Sequence, residues 1–401
     1  MVGRIFNADS RESNMKHILW LPGWYPDELN AYNGDFIQRH AHAVAEQLPI
    51  TVIYVAQHGP DVNILQSRAV TNTTGQLTEI IIYFKYKKTG FGLLDKLRYN
   101  LGYFHTFRQY LQQYIAQKGK PDMVHVHVPM KAGRMALWLQ HKLQVPYIIS
   151  EHSSAYSEEV PDNYHNRSNY YRKWVRLIFK QAAAATTVSQ KLGRRLQELF
   201  AIRHMHIIPN VADTRYFHYS PSQPERFRFL HASTMDHPKN VQGMLQAFHQ
   251  LKKLRHDWEC VMLGWDTPEL KRLATTLGLD THITWKGVVA YQQVAKEMQY
   301  ASALLLFSRY ENLPCVVLES LCCGLPVIAT AVGGIPEVIN ASNGMLVQPG
   351  NEGELLQAML QCMEHPERFN RQSIAAQAQQ LFSYETVGKQ FADLYREFAG
   401  T

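Results

Sequence analysis

The sequence predicts an α/β protein built from two Rossmann-like domains. The chain of 401 residues is longer than one hydrophobic core usually organises, which favours two domains. Short apolar runs rich in β-branched residues alternate with helical patterns along both halves, as is typical of βαβ units with parallel sheets buried on both faces. In such domains we expect ligands to bind at the carboxyl ends of the strands.

The predicted strands fall into two series. Those of the first half are HILWLPG, ITVIYVA, IIIYFKY, MVHVHV, YIISEH, AATTVS and HIIPN, and those of the second half are RFLHAS, ECVMLGW, HITWKGV, ALLLFS and PVIATA. Between the two series, residues 210–224 carry Pro, Ser and Asp without periodicity, which favours a linker. We therefore predict the following units: a loose tail over 1–14, a first domain over 15–215, a second domain over 216–383 and a final helical segment over 384–401.

The composition is that of a globular protein, with 46% hydrophobic and 19% charged residues. No apolar run reaches the roughly 18 residues that would suggest a membrane span. The early stretch HILWLPGWYP is too short and too broken by Pro22 and Gly23 to predict a signal peptide. The five cysteines form no Cys-x-x-Cys pair, which is typical of reduced core residues in a cytosolic protein.

The charge is divided unevenly between the halves. Residues 1–220 hold 26 basic and 16 acidic residues, a balance of +10, whereas the rest hold 15 and 18, a balance of −3. The first half should therefore meet something anionic. The stretches YKKTGFGLLDKLRYNLGYFHTFRQYLQQY and NYYRKWVRLIFKQ mix cations with apolar and aromatic residues, which suits either an anionic membrane surface or ordinary amphipathic helices. No nucleic-acid-binding motif is present.

Two glutamates stand eight residues apart in SRYENLPCVVLES. The pattern places Glu311 in a strand-to-helix loop, with Pro314 at the first position of the following helix. Glu319 then lies about one and a half turns inside that helix, roughly 7–8 Å along its axis. The alternative is that Glu311 is a solvated loop residue and Glu319 an exposed helix position.

The start of this helix suits a phosphate, because free backbone N–H groups at Asn312, Leu313 and Cys315 meet the positive end of the helix dipole. A nucleotide-sugar fits the spacing: the diphosphate at the helix start, the ribose hydroxyls at Glu319 and the sugar hydroxyls at Glu311.

Two neighbouring features point to the same ligand. Gly333 and Gly334 form a turn that lets backbone approach it closely, and Lys239 ends another strand-to-helix loop, where it would neutralise a diphosphate. An ordinary turn and a solvent-facing lysine are the alternatives.

Together, SRYENLPCVVLESLCCGLPVIATAVGGIPEVI and NGMLVQPGN resemble the signature of retaining glycosyltransferases of family 4, which have the GT-B fold, including its Glu-x7-Glu pair. IIPNVADTRYF resembles the linker between the family's domains, and DMVHVHV with VPYIISEH resembles the end of its first domain. The resemblance implies two Rossmann-like domains facing each other across a cleft, with the final helix packing back on the first.

The resemblance also implies roles for individual residues. Glu311 and His152 would be catalytic; Gly34, Lys239, Asn312, Leu313 and Glu319 would bind the donor; and His127 would edge the acceptor site, whereas His125 is interpreted as structural. The sequence departs from the family at Thr234, where many members have an arginine, and at Trp265, which replaces a glycine-rich turn.

The implied activity is transfer of a sugar from a nucleotide-diphosphate sugar, with a UDP-sugar favoured and GDP-mannose next, to a hydroxyl of a lipid-linked or polysaccharide acceptor. The resemblance implies retention. We expect no metal or other cofactor, since the chain contains no Asp-x-Asp triplet. The expected location is cytoplasmic, with peripheral binding to the inner face of the cell membrane left open. The alternatives are a nucleotide-sugar epimerase or phosphorylase on the same fold, or a non-catalytic nucleotide-sugar-binding module. A nicotinamide-dependent dehydrogenase is disfavoured, because no Gly-x-Gly-x-x-Gly follows either first strand.

Overall fold

A computed structural model describes residues 17–57, 64, 66–86, 88–221 and 224–399. Residues 1–14, predicted to be a loose tail, lie outside the described residues. The described chain forms two α/β domains, each built on its own sheet.

The first domain is built on a mostly parallel sheet. Its strands, over the described residues, are β1 (Ile18–Pro22), β2 (Ile50–Val55), β3 (Arg68–Thr74), β4 (Leu77–Tyr83), β5 (Met123–His127), β6 (Tyr147–Glu151), β7 (Ala184–Thr187) and β8 (Met205–Ile207). Their order across the sheet is β3-β4-β2-β1-β5-β6-β7-β8. Apart from β3, which runs antiparallel to β4, these strands pair in parallel. The helices of this domain are α1 (Asp35–Ala45), α2 (Gly92–Lys118), α3 (Pro129–Leu143), α4 (Asn169–Gln181) and α5 (Gln190–Phe200).

The second domain is built on a parallel sheet. Its strands, within the described part of the chain, are β9 (Phe227–Ser233), β10 (Trp258–Gly264), β11 (Ile283–Gly287), β12 (Ala303–Leu306), β13 (Val327–Thr330) and β14 (Gly344–Val347), in the order β11-β10-β9-β12-β13-β14. The helices that follow the linker are α6 (Val241–Leu254), α7 (Pro268–Thr276), α8 (Tyr291–Gln299), α9 (Cys315–Cys322), α10 (Ile335–Val338), α11 (Glu352–Glu364), α12 (Arg371–Phe382) and α13 (Tyr384–Phe398).

The strand series lacked two members that the structure contains. Strand β3 has the sequence RAVTNTT and is almost wholly exposed at the edge of the sheet, so it shows no apolar run. Strand β14 has only four residues and lies within NGMLVQPGN, where it gives a weak strand signal. The central strands β1, β5 and β6 are buried along their whole length, which is why their β-branched runs were recognisable.

The final helix α13 packs against α1 of the first domain, as predicted. A Cβ on Gly388 would lie 2.2 Å from the backbone oxygen of Ala43, so the glycine permits this close approach. Helix α13 also contacts β1, where Trp20 Nε1 donates to the buried Tyr395 hydroxyl at 3.1 Å. The same hydroxyl lies 2.7 Å from His125 Nδ1. His125 therefore has the structural role that the sequence analysis gave it.

None of the described helices is both long enough and apolar enough to cross a membrane.

Removing the Tyr395 hydroxyl should destabilise the protein. In Tyr395→Phe, the buried Trp20 and His125 nitrogens each lose a hydrogen-bond partner, which should cost about 1–3 kcal/mol. Urea unfolding would measure this difference. Tyr216→Phe is the matched control, since the Tyr216 hydroxyl makes no hydrogen bond to any described residue. Equal stability of the two variants would contradict the role given to the hydroxyl.

Candidate active site

Glu311 and Lys239 meet at the carboxyl edge of the second sheet. Glu311 follows β12 and Lys239 follows β9, and these strands are neighbours in the sheet. Lys239 Nζ lies 2.5 Å from Glu311 Oε1, and the Ser308 hydroxyl donates to the same oxygen at 2.8 Å. The sequence placed both residues in strand-to-helix loops, and the structure brings their charges together.

The loop between Glu311 and α9 is held from two sides. Gly334 N donates to the Asn312 carbonyl at 2.5 Å, and Asn210 Nδ2 donates to the Leu313 carbonyl at 2.7 Å. Within the described chain, nothing accepts a hydrogen bond from the backbone N–H groups of Asn312 and Leu313. Two fixed amide donors therefore stand at the start of α9, as an anion site requires.

Gly333 allows this arrangement. It has a φ of +59°, and a Cβ at this position would lie 2.1 Å from the Glu311 carbonyl oxygen. The predicted glycine turn thus lies directly against the backbone of the candidate catalytic loop.

Helix α9 begins one residue later than predicted. Pro314 is the N-cap, with an extended ψ of 132°, and the first helical residue is Cys315. Glu319 is therefore about one turn inside the helix, roughly 6 Å along its axis, and not one and a half turns.

Glu319 is buried, so its interpretation as an exposed helix position is wrong. Its Oε1 accepts a hydrogen bond from the Tyr291 hydroxyl at 2.8 Å and lies 3.9 Å from an Arg39 guanidinium nitrogen. Burial raises the pKa of Glu319, and the positive charge of Arg39 opposes the rise.

Arg39 is a site residue that the sequence analysis missed. It lies on α1 of the first domain, pairs with Asp35 at 2.7 Å and stacks over the Tyr291 ring at 4.9 Å. Its Nε is buried without a hydrogen-bond partner among the described residues. One signal was available in the sequence: a cation one turn into the helix that Gly34 opens.

Gly34 is the N-cap of α1 and has a φ of +67°. A Cβ there would lie 2.8 Å from the Trp24 backbone, so a larger residue would displace this loop. Gly34, which was predicted to bind the donor, sets the packing of the loop that opens α1.

His152 follows β6 on the first domain and faces the loop of Glu311. Asn312 Nδ2 donates to the His152 carbonyl at 2.5 Å. This hydrogen bond between the domains joins one predicted catalytic residue, His152, to the neighbour of the other, Glu311. The His152 ring stacks on His127 at a centroid distance of 5.5 Å, with 3.2 Å between His127 Nδ1 and His152 Nε2. Burial holds the pKa of both rings well below the usual value for histidine, so both are neutral imidazoles.

Glu151 was also missed, although it stands directly before His152. One of its oxygens accepts hydrogen bonds from the His152 and Ser153 N–H groups, both at 2.8 Å, and the other accepts from the Tyr156 hydroxyl at 2.8 Å. Burial raises the pKa of Glu151 to about 7, against the lowering effect of these hydrogen bonds. Glu151 therefore fixes the backbone that carries His152.

The two departures from the family pattern lie on the surface. Thr234 is exposed and brings no charge to the site. Trp265 is half exposed and meets Tyr32 of the first domain edge to face, at a centroid distance of 6.0 Å. Among the described residues, no group of three His, Cys, Asp or Glu side chains stands close enough to hold a metal ion.

Comparison with known sequences identifies the class. The family model described as Glycosyltransferase Family 4 matches residues 37–216, and that described as Glycosyl transferases group 1 matches residues 214–379. The chain therefore belongs to the group 1 glycosyltransferases. It is 26% identical over 282 residues to the putative teichuronic acid biosynthesis glycosyltransferase TuaC of Bacillus subtilis, covering 68% of this chain and 67% of TuaC.

Solved structures show the same fold. Sucrose-phosphate synthase from Thermosynechococcus elongatus superposes with a TM-score of 0.76 at 18% identity, covering 96% of this chain and all of that one. HepE from Anabaena, in complex with UDP, superposes with a TM-score of 0.73 at 17% identity and the same coverage. The predicted GT-B fold is confirmed.

Replacing Glu151 should change how stability depends on pH. A carboxyl whose folded pKa is about 7, above its ordinary 4.5, binds an extra proton when folded, so its contribution is present at low pH and is lost as the pH rises to 7. Glu151→Gln removes this dependence. Between pH 5 and pH 8, the free energy of unfolding of wild type should therefore fall by about 2 kcal/mol relative to that of the variant.

Urea unfolding across this pH range is the measurement. Glu364→Gln, at an exposed carboxylate of α11, serves as the control and should run parallel to wild type. A Glu151→Gln curve that also runs parallel would mean that Glu151 is ionised throughout.

Proposed function

We propose that this glycosyltransferase is a retaining, metal-independent enzyme. Its donor would be a nucleotide-diphosphate sugar, with a UDP-sugar favoured and GDP-mannose next, and its acceptor a hydroxyl of a lipid-linked or polysaccharide glycan. The observation that carries the proposal is the meeting of the two candidate catalytic residues: Glu311, paired with Lys239, lies next to the Asn312 contact with His152. A sugar at this point would touch both domains.

The donor diphosphate would bind at Lys239 and at the N–H groups of Asn312 and Leu313. Cations and fixed amide donors stabilise the charge that develops on a leaving diphosphate. Glu319 would accept the ribose hydroxyls, and Arg39, 3.9 Å from Glu319, would add a cation that Thr234 does not supply. The UDP in the HepE complex supports a uridine nucleotide.

The reaction would proceed on one face of the sugar. The bond from the anomeric carbon to the diphosphate oxygen breaks, the acceptor oxygen bonds to the anomeric carbon on the same face, and the leaving phosphate oxygen takes the acceptor proton. The transition state is oxocarbenium-like. Glu311 would hold the donor sugar, the neutral His152 would contact it beside the acceptor, and His127 would edge the acceptor site. Retention of the anomeric configuration follows from same-face attack.

The cellular setting is part of the proposal. The five cysteines are free and four of them are buried, which suits a reducing cytoplasm. The basic balance of residues 1–220 suits peripheral binding to an anionic inner membrane surface. The relation to TuaC, named for teichuronic acid biosynthesis, supports a polymeric or lipid-linked glycan as the acceptor.

Nucleotide-sugar binding should show one base preference and depend on Glu319. In a thermal-shift screen without added metal, one class among UDP-, GDP- and ADP-sugars should add about 2.7 kcal/mol at 100 times its dissociation constant. Glu319→Ala should abolish this gain, measured against the melting temperature of the variant itself, because the ribose loses its acceptor. Glu364→Ala, on exposed α11 surface, should keep it. No shift with any class would contradict the donor site.

Glu311→Gln should lower the transfer rate by about 100- to 1,000-fold, as expected for the loss of a charged group in the reacting centre. The measurement is release of the nucleoside diphosphate with the donor that the screen identifies, and Glu364→Gln is the control. Isomerisation of the donor without transfer would favour the epimerase, and binding without any turnover would favour the non-catalytic module. Proton NMR of the product would test retention, and addition of EDTA would test metal independence.

A further inference from the structure

A groove of about 710 Å³ lies on the first domain between α2, α3 and α4. Helix α2 lines it with Leu93, Leu94 and Leu97. Helix α3 lines it with Lys131 and Arg134. Among the described residues, three cations and no carboxylate line the groove, so it combines an apolar surface with a positive potential.

The leucines of α2 form an exposed stripe that extends beyond the groove. Leu93, Leu97 and Leu101 are 87%, 58% and 62% exposed and recur every four residues, so they lie on one face of α2. Phe91, just before the helix, is 72% exposed. Contiguous exposed apolar residues of this kind mark a binding surface.

The two α3 cations have neutral neighbours. Lys131 Nζ lies 4.7 Å from the centre of the Tyr103 ring, and the Arg134 guanidinium stacks at 4.0 Å on Phe104. Arg134 also donates to the Tyr170 hydroxyl at 2.9 Å. Neither cation forms an ion pair with a carboxylate of the described residues. Burial lowers the pKa of Lys131 to about 8. An anion in the groove could therefore bind both cations without displacing a carboxylate from either of them.

The groove is connected to the catalytic cleft by hydrogen bonds. Lys131 Nζ donates to Gln57 Oε1 at 2.8 Å, and Gln57 Nε2 donates to the Gly23 carbonyl at 2.8 Å. Gly23 N in turn donates to the carbonyl of His127 at 2.6 Å. Lys131 is thus connected through Gln57 and Gly23 to the backbone of His127, the residue predicted to edge the acceptor site.

We propose that this groove binds a phosphate-bearing lipid-linked acceptor, with its apolar chain along the α2 leucines and its phosphate at Lys131 and Arg134. The glycan would then extend toward His127. The proposal rests on the proposed function and narrows its acceptor, because a polar polysaccharide without a lipid would gain nothing from the exposed leucine stripe.

The test measures binding of soluble alkyl phosphates to the full chain by calorimetry, below their micelle concentrations and without nucleotide. Each buried methylene should tighten binding about fourfold, so decyl phosphate should bind about 15-fold more tightly than octyl phosphate. Leu93→Gln with Leu97→Gln should remove this chain-length dependence. Both positions are exposed, so the double variant should fold.

A matched control and a charge variant complete the test. Leu254→Gln with Leu381→Gln, at positions 58% and 56% exposed in the second domain, should bind like wild type. Lys131→Gln with Arg134→Gln should weaken decyl phosphate at least tenfold but leave the neutral decyl glucoside unchanged. Equal affinity of wild type and the leucine variant, or equal affinity for inorganic and decyl phosphate, would overturn the proposal.

This outcome is separable from that of the donor site. If a nucleotide-sugar binds and is turned over while decyl phosphate does not bind, the groove proposal fails and the transferase remains. If decyl phosphate binds as expected but no nucleotide-sugar shifts the melting temperature, the proposed donor site fails while the groove still binds its ligand.

Discussion

The cleft depends on the hydrogen bond that Asn312 donates to the backbone carbonyl of His152. It joins two loops that each leave the carboxyl end of a parallel strand, one from each sheet. Glu337 reinforces the junction, because its carboxylate accepts hydrogen bonds from the N–H groups of Gln190 and Lys191, at 2.7 and 2.9 Å, at the start of α5. A neutral hydrogen bond of this kind contributes about 0.5–1.5 kcal/mol, and one to a charged carboxylate about 1.5–3 kcal/mol, so together they hold the two sides of the cleft in place.

Burial sets the charge states around this junction. It raises the pKa of Glu319 and lowers those of His40, His127 and His152. The imidazoles beside the cleft are therefore uncharged hydrogen-bonding groups, whereas the cations come from Lys239 and Arg39. Lys239 lies beside Glu311 and Arg39 beside Glu319. Since the two cations belong to different domains, the electrostatics of the site depends on how the domains are placed against each other.

The sequence predicted those features of the candidate site that depend on residues close together in the chain. Glu311, Lys239 and the glycine turn were found because each stands at the end of a recognisable strand. Arg39 was missed because its partner Glu319 belongs to the other domain, and no local pattern encodes such pairing. Glu151 was missed because its role comes from backbone N–H groups that fold around it. The edge strand β3 and the N-cap role of Pro314 were not predicted for a similar reason. In both cases the local sequence signal is weak, and the neighbouring structure determines the conformation.

The chain crosses between the domains twice, once before Phe217 and once at the junction of α12 and α13. These crossings lie side by side: Ala212 N donates to the Phe382 carbonyl at 2.9 Å, and the Arg215 guanidinium stacks over the Tyr384 ring at 5.2 Å. Both covalent connections between the domains therefore lie at one place. We expect a rotation of one domain against the other to pivot there, which would open the far mouth of the cleft most.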